Sequence, residues 1–184
     1  AWYNDDAEVF YCREKTKKEG TMAYCIREVR PDDLSVCTLI ETLGFPPAEG
    51  ASRESIAARI EAYPSHFLVA EDACGVPVGY IMGAVTDSET ITDDMFESTA
   101  CHKEDGAYQA IFSVCVHPAD RRHGVAAALI EEFCARAKAQ GRRGVTLTCK
   151  KEKIEYYSRF GFRLLGVAAS VHGGAVWYDM VLEF

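Results

Sequence analysis

Two stretches of the chain set chemically useful residue types at close spacing. The first is Val114-Cys-Val-His-Pro-Ala-Asp-Arg121-Arg122-His123-Gly124-Val125-Ala126-Ala127. Backbone N–H groups at a helix start have no intrahelical partner and face the positive end of the dipole, so they form a ready anion site. Gly124 and Ala126 would let phosphates approach the backbone, while Arg121, Arg122 and His123 add positive potential. A basic turn that merely caps a helix has the same composition. The apolar strand before it and the long amphipathic helix after it favour the phosphate reading. The second stretch, Tyr156-Tyr157-Ser-Arg-Phe-Gly-Phe162, places two phenols on a short helix, where tyrosines ordinarily pack in a core.

The elements that must position these residues are legible from periodicity. Ala110-Ile-Phe-Ser-Val-Cys-Val116 is almost wholly apolar, as a strand buried on both faces would be. Ala126, Leu129, Ile130, Phe133 and Ala137 recur at helical spacing, with Glu131, Glu132, Arg136 and Lys138 opposite. Upstream, a strand from Tyr24 to Arg30 leads into a helix opened by Pro31-Asp32-Asp33 and ended at Gly44. The loop Phe45-Pro46-Pro47-Ala-Glu-Gly-Ala51 follows, then a helix capped by Ser52, with Ile56 and Ile60 on one face, that Tyr63-Pro64 stops. Strands at 66–70 and 78–85 form a hairpin. A polar, acid-rich segment at 87–107 is helical around 93–101. After the long helix, 145–149 is a strand and 154–160 a short helix. Two last strands, 162–170 and 175–184, meet in a hairpin turn at His172-Gly-Gly174. Residues 1–21 read as a mobile, charge-dense extension, leaving a single domain over 22–184.

Composition bounds the function. The 184 residues are 48% apolar and 26% charged, enough for one domain with a sizeable core. The 20 Lys and Arg against 28 Asp and Glu give a net charge of -8, the wrong sign for a general nucleic-acid binder. An acidic surface instead attracts a cationic small molecule. Eight cysteines without a CxxC read as small buried hydrophobes in a reducing cytoplasm, with no metal site implied. No apolar run approaches a membrane span, and the N-terminus lacks a signal peptide's basic start and apolar centre. The chain starts at Ala1 without an initiator methionine, which suggests trimming or a partial chain. A monomer is expected.

Arg121-x-x-Gly124-x-Ala126, between a buried strand and a long helix, resembles the pyrophosphate loop of the GNAT superfamily of acyl-CoA-dependent N-acetyltransferases. The order of elements over about 24–184 is similar too. Met95 to His102, Val116-His117, Thr148-Cys149 and Tyr156 to Phe162 resemble the arylalkylamine (serotonin) N-acetyltransferases, and Leu43 to Ser52 is similar to the substrate loop of their non-vertebrate members. The resemblance implies a GNAT fold: α/β (α+β), with a mixed, mostly antiparallel central sheet, splayed strands and flanking helices. It implies acetyl-CoA as co-substrate, its pantetheine arm along Val114, Cys115 and Val116 and its phosphates on Arg121 to Ala127. It implies that Tyr157 protonates the thiolate leaving group, which a phenol of pKa about 10 can do for a thiol of about 8.5. Phe45, Pro46 and Pro47 would wall the amine.

The resemblance breaks at the base. Vertebrate members carry two histidines on the buried strand; Ala110 and Phe112 stand there and cannot accept a proton. At pH 7 only about one alkylamine molecule in 2,500 is neutral, a handicap of about 4–5 kcal/mol. Glu97, His102, Tyr108 or a water chain ending at a backbone carbonyl are the candidates. His117 shapes the turn, and Cys149 is a structural thiol beside the site. The expected activity is direct acetyl transfer to a primary amine, an arylalkylamine first. Polyamines, protein lysines or N-termini, and a non-catalytic acyl-CoA module are the alternatives.

Overall fold

The computed structural model describes residues 24–184, so the extension expected at 1–21 lies outside the described residues. β1 (Cys25–Glu28) runs into a 3-10 turn at Pro31–Asp33 and then α1 (Leu34–Gly44). The proline opens the turn, and Asp33 accepts from Arg30 N at 2.7 Å while pairing with buried Arg27, also at 2.7 Å. α2 (Arg53–Ala62) starts where Ser52 Oγ accepts from Ser55 N at 3.1 Å and stops before Tyr63-Pro64, as the caps predict.

Next come β2 (Phe67–Glu71), β3 (Pro77–Met82), β4 (Val85–Thr86), α3 (Asp94–Glu97), β5 (Tyr108–Ile111) and β6 (Ser113–Val116). α4 (Val125–Ala139), β7 (Gly144–Cys149), α5 (Ile154–Ser158), β8 (Arg163–Val167) and β9 (Tyr178–Glu183) complete the chain. The strands form two sheets, β1-β2-β3-β6 and β4-β5-β7-β9-β8. Every pairing is antiparallel except β5 with β7. This is the mixed, mostly antiparallel architecture the sequence led us to expect.

Two expected strands are each broken in two. The 78–85 run splits at Gly83-Ala84, and the apolar 110–116 run splits at Phe112. The breaks are one event. A Cβ on Gly83 would lie 1.8 Å from Ala110 O, so the two backbones touch where both change sheet. Register also slips by one residue between the Val85–Gln109 and Met82–Ser113 pairs. The 108–116 strand therefore carries one residue more than its partner, a bulge at Phe112 that bends it and separates β6 from β7. Periodicity reports burial, and it is blind to such a slip.

The alternation of β2 sorts the core. Leu68 and Ala70 face α4 with Leu129, Ile130 and Phe133, whereas Phe67 and Val69 face α1 and α2 with Cys37, Ile40, Ile56 and Ile60. The last hairpin forms, β8 against β9 with Ala168 N donating to Trp177 O at 2.9 Å, but its strands stop short of the expected bounds, and 168–177 is a long connection with a 3-10 turn at His172–Gly174. Cys37, Cys115, Cys134 and Cys149 are buried thiols. No helix among the described residues is long and apolar enough to cross a membrane.

Candidate active site

Where β6 and β7 diverge, a cleft of about 970 Å³ opens between the sheets. One mouth is the start of α4. Gly124 takes φ +83° as its N-cap with nothing within 4 Å of where a Cβ would stand, so the backbone turns left-handed and its outer side is open. Arg122 also adopts positive φ (67°), a rare conformation for a residue with a side chain. Arg121 Nε donates to Val116 O at 3.0 Å, tying the loop to the end of β6. Arg121, Arg122, Gly124, Val125, Ala126 and Ala127 all line the cleft, whereas exposed His123 does not.

β6 forms one wall. His117 N donates to Val78 O at 2.8 Å, which makes His117–Val78, Cys115–Tyr80 and Ser113–Met82 the hydrogen-bonded pairs of that ladder. The peptide groups of Val114 and Val116 accordingly point away from β3, into the gap toward β7. An extended amide chain laid in the gap would meet a strand edge there. Val114, Cys115 and Val116 all line the cleft.

Tyr157, on α5, lines the same cleft. Its ring stands edge-on to Tyr156 (5.4 Å) and Phe162 (6.0 Å), so it is packed as well as cleft-lining. Burial, then the neighbouring Cys149 and Tyr156, push its phenol well above the ordinary value. The hydroxyl is therefore protonated across the neutral range and is a proton donor. Cys149 also lines the cleft, and burial pushes its thiol up to about 11, the signature of an inert thiol.

At the other end stand Phe45, Pro46, Phe96, Phe112, His172 and Trp177. Pro47 is exposed and outside the lining. Phe96 stacks on His172 at 4.7 Å, and His172 Nε2 lies 3.1 Å from Glu49 O. Lys150 Nζ pairs with Glu49 at 2.7 Å and sits 5.7 Å from the Trp177 ring. These contacts clip the 45–51 loop to β7 and to the 168–177 connection, roofing the cleft.

Of the base candidates, Glu97 lines the cleft, and His102 and Tyr108 do not. His102 Nδ1 accepts from Val85 N at 3.1 Å, which leaves its proton on Nε2, 3.1 Å from Glu104. It stacks on Tyr63 at 4.8 Å. His66 stands beside it, its Nδ1 2.6 Å from Gln109 Oε1 and its Nε2 3.4 Å from Glu104.

Sequence reasoning missed Glu41. This residue is 3% exposed yet lines the cleft. Its Oε2 accepts from Tyr80 OH and from Ser113 Oγ (3.0 Å), and its Oε1 accepts from Ala51 N at 2.7 Å. The signal was an acid on the core face of α1, one turn after Cys37 and beside Ile40. Gly44 on the same helix lets Cys115 approach, since a Cβ there would meet its Sγ at 2.0 Å. His172 and Trp177 were read only as turn and strand.

A family model described as the acetyltransferase (GNAT) domain matches residues 63–164. The chain belongs to the GNAT acetyltransferase family. The serotonin N-acetyltransferase of Mesocricetus auratus is 25% identical over 104 residues, 56% of this chain and 49% of that protein. The chain thus spans about half the length of the curated relative. Among solved structures, the GNAT-like decarboxylase GphF in complex with isobutyryl-CoA superposes with TM-score 0.75 at 20% identity, covering 86% of this chain and 98% of that one. Naa20 of Chaetomium thermophilum, in complex with a bisubstrate analogue, gives TM-score 0.61 at 24% identity over 86% of each chain. At these identities the structures speak for the GNAT fold alone.

Proposed function

We propose that this GNAT domain transfers the acetyl group of acetyl-CoA to a small primary amine, an arylalkylamine before a polyamine, by direct attack. The observation that carries the reading is the cleft itself. The α4 start, the free edge of β6 and Tyr157 all line it. The helix start and Arg122 would hold the phosphates. The peptide groups of Val114 and Val116 would pair with the amides of the pantetheine arm.

The amine nitrogen attacks the thioester carbon, the C–N bond forms, the C–S bond breaks, Tyr157 gives its proton to the departing thiolate, and the second proton that the nitrogen sheds on becoming an amide leaves through water and restores the phenol. Before attack the ammonium must lose a proton. We assign that step to Glu41, whose buried carboxylate lines the cleft beside Ser113 and has no cationic partner among the described residues. The aromatic lining at Phe45, Phe96, Phe112 and Trp177 suits a ring-bearing amine. The Glu49–Lys150 clip roofs that end, which favours a small molecule over a polypeptide.

A thiol-release assay with acetyl-CoA and an amine panel tests the reading. Turnover with at least one arylalkylamine is expected. Tight acetyl-CoA binding with no turnover on any amine would leave a binding module instead.

A further inference from the structure

Acetyl transfer to a simple amine leaves one buried group of the cleft unused. Arg59, on α2 one turn beyond Ser55, is 4% exposed, and both residues line the cleft. Its Nη2 donates to Phe96 O at 2.9 Å, its Nη1 lies 3.8 Å from Met82 Sδ, and its guanidinium carbon is 5.2 Å from the centre of the Phe112 ring. A guanidinium has five N–H donors; these contacts occupy two of them, and the neighbouring Tyr63 hydroxyl interacts with the same guanidinium without neutralising it.

The other buried arginines are neutralised. Arg27 is held by Asp33 and Glu71, each at 2.7 Å. Arg142 reaches Glu104 at 3.7 Å and donates to two backbone carbonyls. Arg59 has no carboxylate within ion-pairing distance among the described residues. Arginine keeps its proton at any ordinary pH, so the charge cannot be shed, and an unpaired buried charge is strongly unfavourable. A methionine could pack between Met82 and Phe112 without that cost. An anion arriving in the cleft would remove it, and the planar fork of a guanidinium matches a carboxylate.

We infer that Arg59 docks a carboxylate carried by one of the two reactants. Phe96 and Phe112, its neighbours, belong to the aromatic end of the cleft. The acceptor is thus the favoured source, which makes the substrate a carboxylate-bearing primary amine of the amino-acid class. A dicarboxylic acyl-CoA would supply the same group from the donor side. The inference rests on the acyl-transfer reading of the cleft. It also refines the charge argument: the net -8 is global, while the acceptor end holds a fixed cation.

The test compares pairs that differ only in the carboxylate, using the chain as it stands. In one arm acetyl-CoA is offered with phenylalanine, its methyl ester or phenylethylamine. In the other, phenylethylamine is offered with succinyl-CoA or acetyl-CoA. One arm should show a preference for the carboxylate of roughly 10- to 100-fold in kcat/KM, the range of a charge-assisted bond. Which arm shows it names the source. Arg59→Met should collapse that ratio toward one, and Arg59→Lys should restore some of it.

Thermal melting supplies a second readout that needs neither turnover nor a variant, since phenylalanine or succinyl-CoA should raise the midpoint more than its carboxylate-free counterpart. Turnover with no carboxylate preference in either arm overturns the inference and leaves acetyl transfer standing. A carboxylate-dependent melting shift without turnover overturns acetyl transfer and leaves the anion site. An Arg59→Met chain that folds and keeps the full ratio also overturns the inference.

Discussion

Replacing Glu41 by Gln tests the proton step most directly. The substitution keeps the side chain's shape and removes its charge. The amide oxygen can still accept from Ala51 N, and the amide nitrogen can donate to Tyr80 and Ser113, whose hydroxyls accept as well as donate. The fold should therefore lose no more than about 1–2 kcal/mol. The kinetic effect is larger. An alkylamine near pKa 10.4 is about 3.4 units above pH 7, which is about 4.6 kcal/mol if only its neutral form can react. A general base recovers roughly 10²- to 10⁴-fold of such a handicap. With Glu41 taking the proton, kcat/KM should vary little from pH 7 to 9. In the Gln variant it should rise about tenfold per pH unit toward the amine's pKa, so that a loss of roughly 10³-fold at pH 7 shrinks steadily as pH rises. Initial rates of thiol release at limiting amine across pH 6.5–10 measure this. Parallel profiles for the two proteins would remove Glu41 from the proton path.

Three further outcomes are expected. Tyr157→Phe should cut kcat roughly 10²-fold while leaving the acetyl-CoA dissociation constant within about twofold; unchanged turnover would end the assignment of Tyr157 as acid. Gly124→Ala forces a side chain into φ +83° on the open side of the α4 start, so urea unfolding should show a loss of about 1 kcal/mol, with weaker CoA binding by calorimetry. Asp179 on β9 is buried with no partner for Oδ1, and burial raises its carboxyl above the usual value. The fold thus favours the protonated form. Stability from this group is present below the unfolded value of about 3.9 and is lost as pH rises through the folded one. Asp179→Asn should therefore raise the urea midpoint at pH 7 and lose that advantage near pH 4; an equal gain at both would refute the desolvation cause.

Much of the fold follows from local signals. The Pro31 turn, the Ser52 cap, the α4 stripe and the halt at Tyr63-Pro64 each depend on residues within about one helical turn of one another, and each appears where expected. The turn that opens α4 at Gly124 was legible for the same reason, because the loop and the helix it starts are contiguous. The breaks at Gly83 and Phe112 were not, since each exists only by contact with the other. The 168–177 segment read as a hairpin because Gly173-Gly174 permits a tight turn. In the fold the hairpin forms around a wide connection: Gly173 packs against Ala48 and Glu49 of the 45–51 loop, and His172 stacks on Phe96.

The chain's own pattern of residues thus determined the element types, their order, the anion-ready start of α4 and the short helix that carries Tyr157. Tertiary structure decided which polar residues share the cleft. Glu41 meets Ser113 across 72 residues, and Arg59 reaches Phe96 across 37. Neither juxtaposition leaves a periodic trace, because side chains that far apart in sequence are brought together by sheet register and helix packing. A one-residue slip at Phe112 is enough to separate β6 from β7 and open the cleft.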